Sequence, residues 1–240
     1  MSSYKLSGII IKRSNFGEAD RLITIFSSTY GKCQLLAKGA RRPSARLAAS
    51  VNLFDEVECV VAKTRSIDII EEANIIRHRG IFETDLVAVK HAYQMAELID
   101  QMLRSHDPYP SVYQLFQALL NQMETDSREW WVDYFYMQTL MASGFTPELS
   151  KCIICGRPLS DGDKLIFDAN LGGVAMHSCV EKNIGEPIEP RIVKWLRLLT
   201  GDIDKVEKIA VDREIEHVGH RLISSFTSGI LQREIKSDKI

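Results

Sequence analysis

Asp20–Gly39 reads DRLITIFSSTYGKCQLLAKG. In its first half Leu22, Thr24 and Phe26 fall on one face and Arg21, Ile23 and Ile25 on the other, the period of two that marks a strand. Tyr30–Gly31 signals a tight turn, after which a further strand begins. The fold depends on whether this pair has enough neighbours to close on. Upstream, Lys5–Arg13 (KLSGIIIKR) is β-branched, ends in charge and runs into a turn signal at Asn15–Gly17. Downstream, Phe54–Lys63 (FDEVECVVAK) and Ser66–Ile76 (SIDIIEEANII) supply two more strands around a turn at Thr64–Ser66. Five short strands in roughly 75 residues fit a small closed barrel such as an OB-fold, because closure removes exposed edges. An SH3-like barrel or a small sandwich has a similar pattern.

Between the third and fourth strands lies Ala37–Arg46, AKGARRPSAR. Lys38, Arg41, Arg42 and Arg46 stand in it without an acid, and Gly39 and Pro43 punctuate it. The following residues suit a short helix with Ser44 as its cap. The basic run therefore belongs to a loop at a barrel end. Charge is segregated along the chain: residues 1–80 hold 13 Lys and Arg against 8 Asp and Glu, and residues 81–150 hold 3 against 10. Residues 151–240 balance at 14 each, and the net charge is −2. A basic first third beside an acidic middle suggests modules with separate partners.

From Glu83 the period changes. Leu86, Val89, Tyr93, Ala96, Ile99 and Met102 form one helical face. Asp107–Pro108 interrupts, and Val112, Leu115, Phe116, Leu119 and Met123 form another. Ser127 is placed to cap a third helix, Arg128–Ser143, closed by Gly144. The crowd of Trp130, Trp131, Tyr134, Phe135 and Tyr136 on that helix reads as bundle core. A loop-rich span to Cys179 precedes two more helical patterns, Pro190–Gly201 and Ile215–Gln232, and the polar tail from Arg233 is expected to fray. The fold class is α+β: a five-stranded barrel over residues 1–80, a helical domain over 81–150 and 181–240, and an inserted zinc-knuckle-like loop over 151–180.

That loop opens with Cys152-x-x-Cys155-Gly156, a spacing that aims two thiolates at one point. His177 and Cys179 follow about twenty residues later and complete a Cys₃His set suited to structural zinc. A metal-free remnant is the alternative reading. No thioredoxin-like βαβ pattern surrounds the pair, which argues against redox use. Cys33 and Cys59 read as core residues, and His217 and His220 lack an evident third ligand. The phosphate-loop, dinucleotide, nucleophile-elbow, metalloprotease and zinc-deaminase patterns are missing. No catalytic residues are assigned, so an enzyme is not expected. No apolar run is long enough to span a membrane and no signal peptide is evident, so a cytoplasmic protein is expected.

The order of parts resembles the bacterial RecO family across essentially the whole chain. The segments that carry the resemblance are Lys38–Arg42 (KGARR) and the run from Gly144 to Gly156, GFTPELSKCIICG. The resemblance implies an N-terminal OB-fold, a central helical domain and, in many members, a zinc loop. It also implies binding to single- and double-stranded DNA, annealing of complementary strands, and a mediator role. In that role the protein acts with RecR, on strands coated by single-strand-binding protein, to load RecA. Such a protein would be nucleoid-associated. By motif, Lys38, Arg41, Arg42 and Arg46 match the family's basic segment. The chain departs at Met176, where the family usually has a cysteine, so either His177 substitutes or the site is empty. A zinc-stabilised interaction scaffold without DNA binding is the alternative function. Phe16 and Tyr30, at barrel loop ends, are candidate stacking faces for unpaired bases.

Overall fold

The computed structural model describes residues 2–42, 46–181, 185–232 and 235–239. Five strands close into a barrel in the order β1-β2-β3-β5-β4: β1 (Ser3–Phe16), β2 (Asp20–Ser27), β3 (Gly31–Ala37), β4 (Glu56–Ala62) and β5 (Ile69–Arg77). A single long strand makes the closure possible. β1 pairs with β4 through Ser3–Ile9 and with β2 through Ile9–Phe16, and a register shift between Ile10 and Lys12 lies in its course. A bulge of this kind bends and twists a strand, turning one ladder into two. The closing seam between β3 and β5 is parallel and rests on one registered pair, Leu36 with Ile69.

Both faces of β2 are buried, for different reasons. Ile23 and Ile25 point into the barrel core with Leu6, Ile10, Leu35 and Val57. On the other face Phe26 meets Tyr113 and Phe116, with ring centroids 5.7 and 6.5 Å apart. Those rings belong to α4 (Pro110–Gln122), which with α3 (Leu86–Met102) covers the barrel. α3 starts at Leu86, the first residue of the apolar face, and the short α2 (Ile81–Thr84) precedes it. The Asp85 carboxylate fixes that start by accepting from the amides of Val87 and Ala88 at 2.8 and 3.0 Å. At the β2–β3 turn Gly31 has φ +66°, and a Cβ there would lie 2.2 Å from the Asp107 carbonyl oxygen. Only glycine suits both the turn and the close approach.

This first compact unit runs from Met1 to Ser127 and the second from Arg128 to Ile240. In the second unit α5 (Trp130–Ala142) packs against α6 (Pro190–Leu199) and α8 (Arg213–Leu231). α5 buries ten of its 13 residues, including all five aromatic residues named above, so it is a core helix without a solvent face. Ser127 does not cap it. The Ser127 hydroxyl lies 3.0 Å from His91 Nδ1, and the residue before the helix, Glu129, makes no side-chain cap.

The span expected to be loop up to Cys179 holds β6 (Leu165–Asp168) and β7 (Gly173–Met176), which with β8 (Glu186–Ile188), in the stretch expected to be helical, form an antiparallel sheet in the order β7-β6-β8. These strands have three or four residues each, too short for a period to emerge. A short α7 (Ile203–Glu207) follows α6. The tail is less free than its polarity suggested, since Ile235 is buried and a 3₁₀ turn follows it. Pro43, the proposed cap Ser44 and the side chain of Arg46 lie outside the described residues. α1 (Arg46–Ala49) is the short helix expected there.

Candidate functional site

The basic loop folds back onto the barrel. The Gly39 amide donates to Asp20 Oδ1 at 2.7 Å, the Arg41 amide to the Ala19 carbonyl at 2.9 Å, and Arg41 Nη1 to the Gly17 carbonyl at 3.1 Å. The β1–β2 turn and the β3–α1 loop thus form one surface at one barrel end. Gly39, at φ +67°, makes the turn that brings them together. Lys38, Arg41 and Arg42 are exposed on it.

Two further arginines, which the motif did not reveal, join them. Across the β1–β2 ladder Asn15 faces Arg21 and Arg13 faces Ile23, so Arg13 and Arg21 are diagonal neighbours on one face. Burial first, then the charges of Arg13 and Arg41, push the Arg21 pKa down. Like charges held this close repel one another, and an anion placed among them would relieve that repulsion. The sequence places Arg13 and Arg21 on either side of the turn, but only the register, centred on Glu18, sets them diagonally.

Acids from the helices are spent elsewhere. Asp100 on α3 pairs with Lys12 at 2.5 Å and Lys32 at 3.5 Å, and Glu124 after α4 pairs with Arg77 at 2.9 Å. Arg79, with a side chain 0% exposed, lies 3.7 Å from Glu56 and 3.8 Å from Glu124 and donates to Phe54 O and Asn121 Oδ1. Among the described residues Arg13, Arg21, Lys38, Arg41 and Arg42 have no ion-pair partner. The acidic middle therefore pairs with cations on the helix-facing side of the barrel, while at this end five cations stand beside two acids at the turn, Glu18 and Asp20, without an ion pair among the described residues. Phe16, 45% exposed, closes β1 at this end. Tyr30 lies at the opposite end of β2, tilted against Tyr4 with centroids 5.5 Å apart, so the two candidate stacking rings are separated.

In the second unit the Sγ atoms of Cys152, Cys155 and Cys179 lie within 4.8 Å of one another and could hold a metal ion. The turn forms as the knuckle spacing implies: the Gly156 amide donates to the Cys152 carbonyl at 2.8 Å. Burial opposes ionisation of Cys152. The amides of Cys155, Met176 and Ile154, with the Cys155 thiol, outweigh it and bring the Cys152 pKa down to about 7. The hydrogen bond with Cys155, then burial, holds the Cys179 thiol up. By contrast, burial pushes Cys33 and Cys59 in the barrel up to about 11 and 12, leaving them unreactive core residues. His177 is exposed at the start of a 3₁₀ turn and is not among the converging ligand atoms. Met176 is buried, its sulfur receiving the Arg157 guanidinium at 2.6 Å. Among the other candidates, His217 is exposed while His220 Nδ1 lies 2.6 Å from Asp133 Oδ1, so the two do not share a task. No helix among the described residues is long and apolar enough to cross a membrane.

The fold and these sites define a barrel-and-helix protein with a row of unpaired arginines at one barrel end and a thiol cluster in its second unit. Within that class, the chain belongs to the recombination protein O family. Residues 1–79 match the family's N-terminal model and residues 83–239 its C-terminal model. The chain is 28% identical over 242 residues to the DNA repair protein RecO of Bifidobacterium longum (strain DJO10A), covering 99% of this chain and 98% of that protein. It is likewise 28% identical to that of Symbiobacterium thermophilum, over 99% of this chain and 96% of that protein. To that of Acetivibrio thermocellus it is 33% identical over 187 residues, which cover 77% of this chain and 74% of that protein.

Proposed function

We propose that this protein is a DNA-binding mediator of recombinational repair that anneals complementary strands. In this reading it acts in the cytoplasm, at the nucleoid, with RecR, and helps load RecA onto single strands coated by single-strand-binding protein. The observation that carries the reading is the arginine row at the barrel end: five cations gathered from the β3–α1 loop and the β1–β2 strand pair, none with an ion-pair partner among the described residues. We read the barrel as an OB-fold, supported by the β1-β2-β3-β5-β4 order and by a helix inserted between β3 and β4. Residues 1–80 would then be the DNA-binding domain, 81–150 and 181–240 the helical domain, and 151–180 the zinc loop.

Annealing on such a surface involves no bond making. Guanidinium groups fork onto phosphate oxygens, and Lys38 adds a point charge. Contacts to phosphate position a strand without reading its sequence. Two neutralised strands repel less and can slide until their bases find register. Lys38, Arg41, Arg42 and Arg46 are the assigned contacts, and Arg13 and Arg21 extend them. In the second unit we assign a structural zinc to Cys152, Cys155 and Cys179, because three thiols converge and one ionises readily. His177, the fourth ligand expected from the sequence, is exposed and outside the thiol cluster, so the proposed site rests on the three cysteines. When bound, zinc cross-links the knuckle to the turn after β7 and supplies no chemistry to DNA.

The test is a salt titration of binding to a fluorescent single-stranded oligonucleotide, with its complement then added to the same tube. Salt-sensitive binding and faster annealing are expected. No binding at low salt would exclude the reading and favour a scaffold that works through protein partners.

A further inference from the structure

A cleft of about 220 Å³ opens in the first unit beside the arginine row. Arg13, Asn52, Phe54, His78, Phe82 and Tyr93 line it. Three aromatic rings stand together in its wall. Phe54, buried and held at φ +65°, meets Phe82 and Tyr93 edge-to-face at 5.1 and 5.2 Å. A contact of that kind occupies at most one face of the Tyr93 ring. Tyr93 as a residue is 42% exposed, and its hydroxyl makes no hydrogen bond among the described residues. The floor is polar and fixed: Asp55, 1% exposed, takes hydrogen bonds from His78 Nδ1 at 3.0 Å and the Arg79 amide at 3.1 Å. At the mouth Arg13 makes only long contacts, to Val51 O at 3.3 Å and Asn52 Oδ1 at 3.4 Å. The same Arg13 acts electrostatically on Arg21 in the row.

A cation at the rim, an open aromatic face and polar groups below make up the chemistry that recognises a nucleobase attached to a phosphate. A free anion is a poor occupant, since Asp55 and Glu83 also line the interior. An aliphatic side chain would leave the polar floor unused. We infer that the cleft receives one unpaired nucleobase of a strand whose phosphates lie on Arg13, Arg21 and Arg41, the base stacking on Tyr93. The inference rests on the DNA-binding reading above and adds a preference to it. A base held in a duplex stack cannot enter without being unpaired, so the cleft adds affinity for single strands alone.

The experiment compares one oligonucleotide containing 2-aminopurine, single-stranded and as a duplex, bound to the full chain and to Tyr93→Ala and Tyr93→Phe, with circular dichroism to establish folding. Stacking on one ring makes Tyr93→Ala weaken single-strand binding by about 5- to 100-fold. It also removes the change in 2-aminopurine fluorescence and leaves duplex affinity unaltered, while Tyr93→Phe behaves as the parent. A folded Tyr93→Ala protein with unaltered single-strand affinity and fluorescence would overturn the cleft and leave the arginine row standing. Equal losses on both substrates would also overturn it. If the unsubstituted chain binds neither substrate, the DNA reading and the cleft both fail.

Discussion

Arg21 shows how a single side chain defines the surface around it. Burial, and after it the charges of Arg13 and Arg41, lower its pKa, so neutralising one of the three relieves like-charge repulsion as it removes a proposed phosphate contact. Arg41→Ala with Arg42→Ala should lower the slope of log affinity against log salt by up to about 2, and Arg21→Gln by about 1. Salt titrations of the folded variants give both numbers, and unchanged slopes would remove these residues from the interface. His78 makes a different prediction. Its hydrogen bond to Asp55, and then that carboxylate's charge, raise its pKa above 6.5. A raised histidine stabilises the fold below its unfolded pKa, and that contribution is lost as pH rises through the folded value. The melting temperature of the parent should therefore exceed that of His78→Gln at pH 5.5 and converge on it at alkaline pH. At this scale the sequence was partly legible. The acid-free run exposed Lys38, Arg41 and Arg42, while Arg13 and Arg21 emerged only once the β1–β2 register set them diagonally. The knuckle cysteines were visible from spacing, but His177 was placed by counting, and its side chain is directed by a 3₁₀ turn that no period announces.

Among the elements, the barrel was readable because each strand is long enough to alternate and each turn carries its own residue signal. β6, β7 and β8 were not, since three or four residues cannot show a period of two against background. Ser127 misled for a related reason. A hydroxyl just before an apolar helix looks like a cap, yet His91, 36 residues away in sequence, is its partner. The β2–β3 turn offers a direct test of element packing. Gly31→Ala would force a positive φ on an L-residue and drive its Cβ into the Asp107 backbone. Its cost should exceed the about 1 kcal/mol typical of a residue forced into that region, and thermal or denaturant melts would measure it. A neutral substitution would mean that the Ser105–Asp107 segment moves away readily.

Over the whole molecule, the arginine row and the thiol cluster lie in different units, so the two functions proposed for them are separable by experiment. Purified protein should carry about one zinc per chain, and Cys155→Ser should abolish it. Chelation should lower the melting temperature of the second unit while binding to a single strand persists, because none of the arginines of the row belongs to that unit. Loss of both together would couple the units. Arg79 carries a further consequence. All five strands have been made once Arg77 exists, but the guanidinium two residues later depends on Asn121, 42 positions along the chain, and on Glu124. A ribosome that has released only the barrel therefore displays Arg79 with Glu56 beside it but with its Asn121 acceptor and Glu124 still unmade. The first unit should lock only once translation has passed Glu124. A nascent chain arrested short of that point should be open to proteases that a chain arrested well past Ser127 resists.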